Sequence, residues 1–112
     1  MSHFDDVIIK CKAQMDEHGI AIDEALLSAI AKSLEPSIYD ADGLVVASSD
    51  AGEMATVHEF VMNKLGVEPS VALEDAIQKA VDTLGSGNPH KLRPVVYYLI
   101  TRELGKESVF SG

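Results

Sequence analysis

No tryptophan occurs in this chain, cysteine occurs once, and nine basic residues stand against 18 acidic ones. Each scarcity closes a class of function. Cys11 alone cannot form an intrachain disulfide, which fits a reducing compartment. A formal net charge of −9 argues against DNA, RNA or an anionic membrane as the main partner, because those surfaces are met by a basic face. The longest apolar run, residues 95–100, is far too short to span a bilayer. The opening residues, Met1-Ser2-His3-Phe4-Asp5-Asp6, carry neither a basic region nor a long apolar stretch, so no signal peptide is expected. The expected compartment is the cytoplasm.

What is present suffices for one folded domain. Of the 112 residues, 46% are hydrophobic and 24% charged, the proportions of an ordinary globular core with a solvated surface. The charge is uneven. Residues 1–85 hold 16 of the 18 acids and five of the nine bases, which leaves residues 86–112 slightly basic.

Five segments carry the helical period of 3.6 residues. In the first, Phe4, Val7, Ile8, Cys11 and Met15 line one face, and Gly19 is placed to stop it. Asp23 reads as the cap of the second, whose stripe is Leu26, Ala29, Ile30 and Leu34, closed by Pro36. Asp50 and Glu53 have capping-box spacing at the start of the third, followed by Met54, Val57, Val61 and Leu65. Ser70 should cap the fourth, in which Leu73, Ala76, Ile77, Ala80, Val81 and Leu84 repeat regularly up to Gly85. The fifth is expected to begin at Asn88-Pro89 and to be the central helix, because residues 95–100 are apolar all round. Pro94 then requires either a kink or a late start near Arg93.

Residues 35–49 break the pattern. They are too apolar for a solvated loop, so Ile38, Tyr39 and residues 44–46 are expected to pin an ordered connection onto the core. A strand at 44–46 has no visible partner strand.

Sequence signatures of chemistry are few. His58-Glu59 lacks the second histidine of a zinc-protease helix, since position 62 is Met62. Asp40-Ala41-Asp42-Gly43 resembles part of a calcium loop, yet the alignment puts Ile38 and Ser49 at the end ligands, so a turn is expected instead. His3, His18, His58 and His90 are scattered and form no metal-ligand spacing. Cys11 sits on an apolar stripe and should be a buried, inert thiol. Ser49 has the placement of a carrier-protein serine, after a long loop at a helix start. The order Ser48-Ser49-Asp50 is not the carrier order, so Ser49 is expected to remain unmodified. One basic locality stands out. Ser86, Lys91 and Arg93, with His90, follow a glycine turn at a helix start and form a candidate anion site.

Four fragments, Pro36-Ser37-Ile38-Tyr39, Ser48-Ser49-Asp50, Tyr97-Tyr98-Leu99 and Gly105-Lys106-Glu107-Ser108, together with Leu65-Gly66, resemble a family of small bacterial proteins classed as a domain of unknown function. The resemblance spans nearly the whole chain in the same order. It implies a bacterial, single-domain, cytoplasmic protein and brings no catalytic or binding residues with it. Gly52 and Pro94 depart from the family pattern, at the starts of the third and fifth helices.

The expected fold is all-α: a single compact five-helix domain over residues 1–112, with a long ordered connection between helices 2 and 3. The expected function is a non-catalytic interaction module that binds a protein partner or itself, since the fifth helix carries more apolar surface than one small core needs. The alternative is a small enzyme or carrier, binding a phosphorylated ligand at residues 86–93 or modified at Ser49. No cofactor, metal, nucleic acid or membrane partner is expected.

Overall fold

In the computed structural model, which describes residues 3–47, 50–85 and 87–110, the chain is all-helical with one core. Helix α1 runs His3–Glu17, α2 Glu24–Ser33, a short α3 Ala41–Leu44, α4 Ala51–Glu59, α5 Val71–Leu84 and α6 Arg93–Glu103. Single 3₁₀ turns lie at Ser37–Tyr39 and Glu107–Phe110, and α4 continues into a π-helical turn at Phe60–Lys64. The radius of gyration is 12.8 Å, close to the roughly 13 Å expected of a hundred-residue domain.

Local chemistry sets the helix limits. Asp23 accepts from Leu26 N–H at 3.2 Å, and Ser70 from Leu73 N–H at 3.2 Å. Asp50 accepts from Gly52 and Glu53 N–H, so half of the expected capping box is formed. The other half is not, because the Glu53 carboxylate is drawn to Arg93 instead. Gly19, Gly66, Gly85 and Gly105 all have positive φ and end the four long helical stretches where expected.

Helix α6 is the axis of the core. It packs on α5, α2 and α1, and every residue from Arg93 to Tyr98 is buried, as are Ile100 and Thr101. The apolar surface of α6 is therefore consumed inside the chain, and it supplies no surplus face for self-association. From α5, all six expected stripe residues are buried; α1 contributes Val7, Ile8, Cys11 and Met15. The α2 stripe is broader than expected, with Leu27 and Ala31 fully buried beside Leu26 and Ile30.

The start of α6 is late. It begins at Arg93 with Pro94 in its first turn, where a missing N–H costs nothing, so no kink is needed. Asn88 is not its cap. Its amide donates to Leu84 O and its Oδ1 accepts from His90 N–H, which folds the chain back beyond α5. After a turn at Pro89-His90 the chain is extended into Leu92. Val45 and Leu92 form an isolated antiparallel bridge, with Val46 N–H donating to Lys91 O at 2.8 Å. On the other edge of the same segment the Gln14 carboxamide donates to His90 O at 2.7 Å and accepts from Leu92 N–H at 3.1 Å.

The connection at 35–47 is ordered, as its apolar content requires. Ile38 and Val46 are 1% and 0% exposed, and Leu44 and Val45 pack half-buried against the core. Tyr39 is not an anchor; it is 37% exposed and its hydroxyl donates to Glu35. Gly43 lies in a helical turn, and close packing is what requires it there. A Cβ would sit 1.9 Å from Ser37 O.

Candidate functional site

The turn at Pro89-His90 and the extended chain that follows it divide the basic run that the sequence presents as one patch. Successive side chains of an extended segment point to opposite sides. His90 and Leu92 accordingly line a cleft of about 510 Å³ between α1 and the 38–45 segment. Arg93 lines a second cleft of about 660 Å³, between that segment and α4. Lys91 lies between them at 1% exposure, its Nζ donating to Asn88 O, and burial lowers its pKa. Of the anion-site candidates, then, Lys91 and Arg93 are both buried and bonded within the chain, and neither is open to solvent. Ser86 lies outside the described residues, and so does Ser49.

The second cleft is built around Arg93. Its Nε donates to Gly43 O at 2.7 Å, Nη1 to Tyr97 Oη at 3.2 Å, and Nη2 to Val45 O and to both oxygens of Glu53. The guanidinium thus ties the 43–45 backbone, α4 and α6 to one point. Burial alone would lower the Arg93 pKa, but bonds to Tyr97 and Glu53 outweigh it and hold the pKa above its ordinary value. Burial likewise raises the Tyr97 phenol, against the opposing pull of Arg93. The π-helical turn completes the enclosure by setting Phe60 against Tyr97, with ring centroids 4.0 Å apart. Arg93, Glu53 and Tyr97 are bonded to one another and to the 43–45 backbone, and Ser37, Asp50 and Thr56 at the rim are bonded to nearby main chain. This arrangement is a latch.

The first cleft is chemically different. Its floor is apolar, formed by Val7, Ile38, Leu44, Val45 and Leu92. Its mouth carries the exposed side chains of His3, Asp6, Lys10, Tyr39, Asp40 and His90. His3 meets Tyr39 edge to face at 5.8 Å. A concave apolar floor with polar groups around its lip is the usual form of a binding site. Ile9, 54% exposed, is on α1 but does not line the cleft.

A third polar centre joins two helices. His58 Nδ1 lies 2.7 Å from Met54 O and Nε2 lies 2.8 Å from Glu74. Both partners are acceptors, so both ring nitrogens donate and the imidazolium is favoured. The bond to Met54 raises the His58 pKa first, desolvation lowers it, and Glu74 raises it further. Elsewhere, Cys11 is free and buried, its thiol pushed up to about 12 by desolvation. Among the described residues there is no group of three or more His, Cys, Asp or Glu able to hold a metal. No helix among them is long and apolar enough to cross a membrane.

A family model described as "Protein of unknown function (DUF2853)" matches residues 10–108. The chain belongs to the DUF2853 family. The match takes in the Arg93 latch whole and, of the first cleft, everything except His3, Asp6 and Val7. No curated protein matches the chain. Function in DUF2853 therefore has to be argued from the geometry of the clefts. Sequence reading singled out Arg93 as a candidate and missed Glu53 and Tyr97 as its partners, and Gln14 as the brace of the His90 and Leu92 backbone. The only available signal was the pairing of an acid, Glu53, with a base, Arg93, both in segments otherwise apolar on one face.

Proposed function

We propose that this protein is a non-catalytic binding module, and that the cleft between α1 and the 38–45 segment receives an apolar side chain presented by a protein surface. One observation carries the reading. The floor made by Val7, Ile38, Leu44, Val45 and Leu92 opens between polar lips whose side chains face solvent, whereas the groups at the heart of the second cleft, Arg93, Glu53 and Tyr97, are already bound to one another. Burying a single Leu or Phe in such a cleft removes enough apolar area for about 1.5–3 kcal/mol. The reading includes a cytoplasmic setting, which the free thiol of Cys11 supports.

Selection of peptides from a display library, followed by amide NMR with a selected peptide, tests it. Shifts should centre on Ile38, Leu44 and Leu92. Failure to enrich any peptide, or shifts confined to another face, would remove this assignment.

A further inference from the structure

The Arg93 latch has two hydrogen-bond donors left over. A guanidinium carries five N–H groups. In Arg93 the Nε hydrogen goes to Gly43 O, the two on Nη2 go to Val45 O and Glu53, and one on Nη1 goes to Tyr97 Oη. The second Nη1 hydrogen meets no acceptor among the described residues. Nor does the Tyr97 hydroxyl hydrogen; that hydroxyl takes a bond from Arg93 and gives none to them. Burial raises the Tyr97 pKa, so the phenol keeps its hydrogen at neutral pH. Arg93 is 6% exposed and Tyr97 2%, and folded proteins leave few buried donors without an acceptor. Both residues line the second cleft.

The rim of that cleft has the opposite character. Ser37 and Thr56 turn their hydroxyl hydrogens inward, to Leu34 O and Gly52 O, and so offer lone pairs to the cleft. Asp50 and Glu53 add carboxylates, and the Glu53 side chain is 26% exposed. Leu34, Val45 and Ala47 supply apolar wall between base and rim. Donors therefore lie at the buried base and acceptors toward the mouth.

We propose that the second cleft is a small-molecule site for a neutral carboxamide carried on an apolar body. The carbonyl oxygen accepts from the Tyr97 hydroxyl and Arg93 Nη1, and the amide N–H groups donate to the acceptors above them. A carboxylate or phosphate fits the base but not the charge. Glu53 already neutralises Arg93, and Asp50 leaves the lining with one net negative charge, so an anion would enter against two carboxylates. The cleft of about 660 Å³ has the size of a small-molecule pocket and exceeds what one inserted side chain fills. This site goes beyond the peptide-binding reading of the first cleft and does not depend on what occupies that one.

Amide NMR with three probes tests it: benzamide, benzoate of the same shape, and N-acetylglutamine amide, which presents a carboxamide on a peptide-like stem. Benzamide should shift Gly43, Val45, Ala47 and Glu53 saturably, with a Kd of about 1–10 mM. Benzoate should bind at least about tenfold more weakly. Tyr97→Phe keeps the ring against Phe60 and removes the spare donor, so it should weaken benzamide about tenfold. Glu53→Gln removes one opposing carboxylate and should bring benzoate to within about threefold of benzamide. If either variant fails to fold, the comparison of benzamide with benzoate on the original protein decides. Absence of saturable benzamide shifts at these residues overturns the proposal, since water then meets the two donors. Benzoate binding as tightly as benzamide overturns it too, as does unchanged affinity in Tyr97→Phe. Tighter binding of N-acetylglutamine amide would assign the cleft to a protein side chain and overturn the small molecule. None of these outcomes moves the first-cleft reading, whose shifts centre on Ile38, Leu44 and Leu92.

Discussion

Arg93 and Glu53 meet across forty residues of sequence, with Nη2 at 3.1 and 3.0 Å from the two carboxylate oxygens. Arg93 is 6% exposed, and its other bonds go to the backbone of Gly43 and Val45 and to the Tyr97 hydroxyl. The pair therefore decides where the 43–46 segment sits, and with it the wall that the two clefts share.

Glu53→Ala should loosen that wall. The guanidinium keeps its three neutral acceptors but loses its countercharge, and the expected cost is about 2 kcal/mol, below the range for fully buried pairs because the Glu53 side chain is 26% exposed. Faster amide exchange at Val46, with that at α5 amides such as Ala80 changing only by the global loss, is the diagnostic result. Equal acceleration everywhere would mean that Glu53 supports the whole fold and has no special hold on the segment.

Gly43→Ala should destabilise although alanine is the better helix former. The added methyl would begin 1.9 Å from Ser37 O and 2.7 Å from Ser37 C, both backbone atoms, so one turn must move. A loss of about 1–3 kcal/mol in urea unfolding is expected. A gain in stability would show that the 37–43 contact relaxes freely.

Ile38 and Tyr39 should respond oppositely to truncation. Ile38→Ala opens a cavity at a site 1% exposed and should cost about 2–5 kcal/mol. Tyr39→Ala removes an exposed ring and should leave the unfolding midpoint close to the original. Comparable losses at the two positions would contradict the burial described above.

The His58–Glu74 pair makes stability depend on pH in a defined direction. The folded-state pKa of His58 lies above 6.5, so the imidazolium binds its proton more tightly folded than unfolded. Its contribution is full below 6.5 and disappears as pH rises through the raised folded value. Proton NMR should place the His58 midpoint above 6.5, and Glu74→Gln should bring it down. The stability advantage of the original over His58→Gln should shrink from pH 5.5 to pH 8.5. An advantage that grows over that interval reverses the sign and rejects the pair.

Legibility followed the range of the forces involved. The caps Asp23, Asp50 and Ser70, the glycine stops and the α5 stripe act within a few residues, and each was readable from spacing. The burial of residues 95–98 was equally plain. Asn88-Pro89 imitates a helix start, while the late start near Arg93 that Pro94 allows is the one the structure has; what holds the preceding residues out of the helix is Val46 and Gln14, at separations no local pattern encodes. Tyr39 was misplaced for a related reason, since composition cannot tell which aromatic of an apolar connection faces inward. The Arg93 latch was visible only as a basic residue beside a proline, and its partners are 40 to 50 residues upstream.

Gln14 acts as a false strand. Its side-chain carbonyl and amide take the Leu92 N–H and His90 O that would otherwise form the open border of the 45–46 and 90–92 pair. A hydrogen-bonded stub with a free border is a template on which another extended chain can add itself. Here that template is closed by an amide borrowed from a helix, so growth into a larger sheet, within or between molecules, is blocked at the cost of one side chain. The protein keeps a strand-like contact between residues 45–46 and 90–92 without the hazard of intermolecular pairing that an open border there would carry.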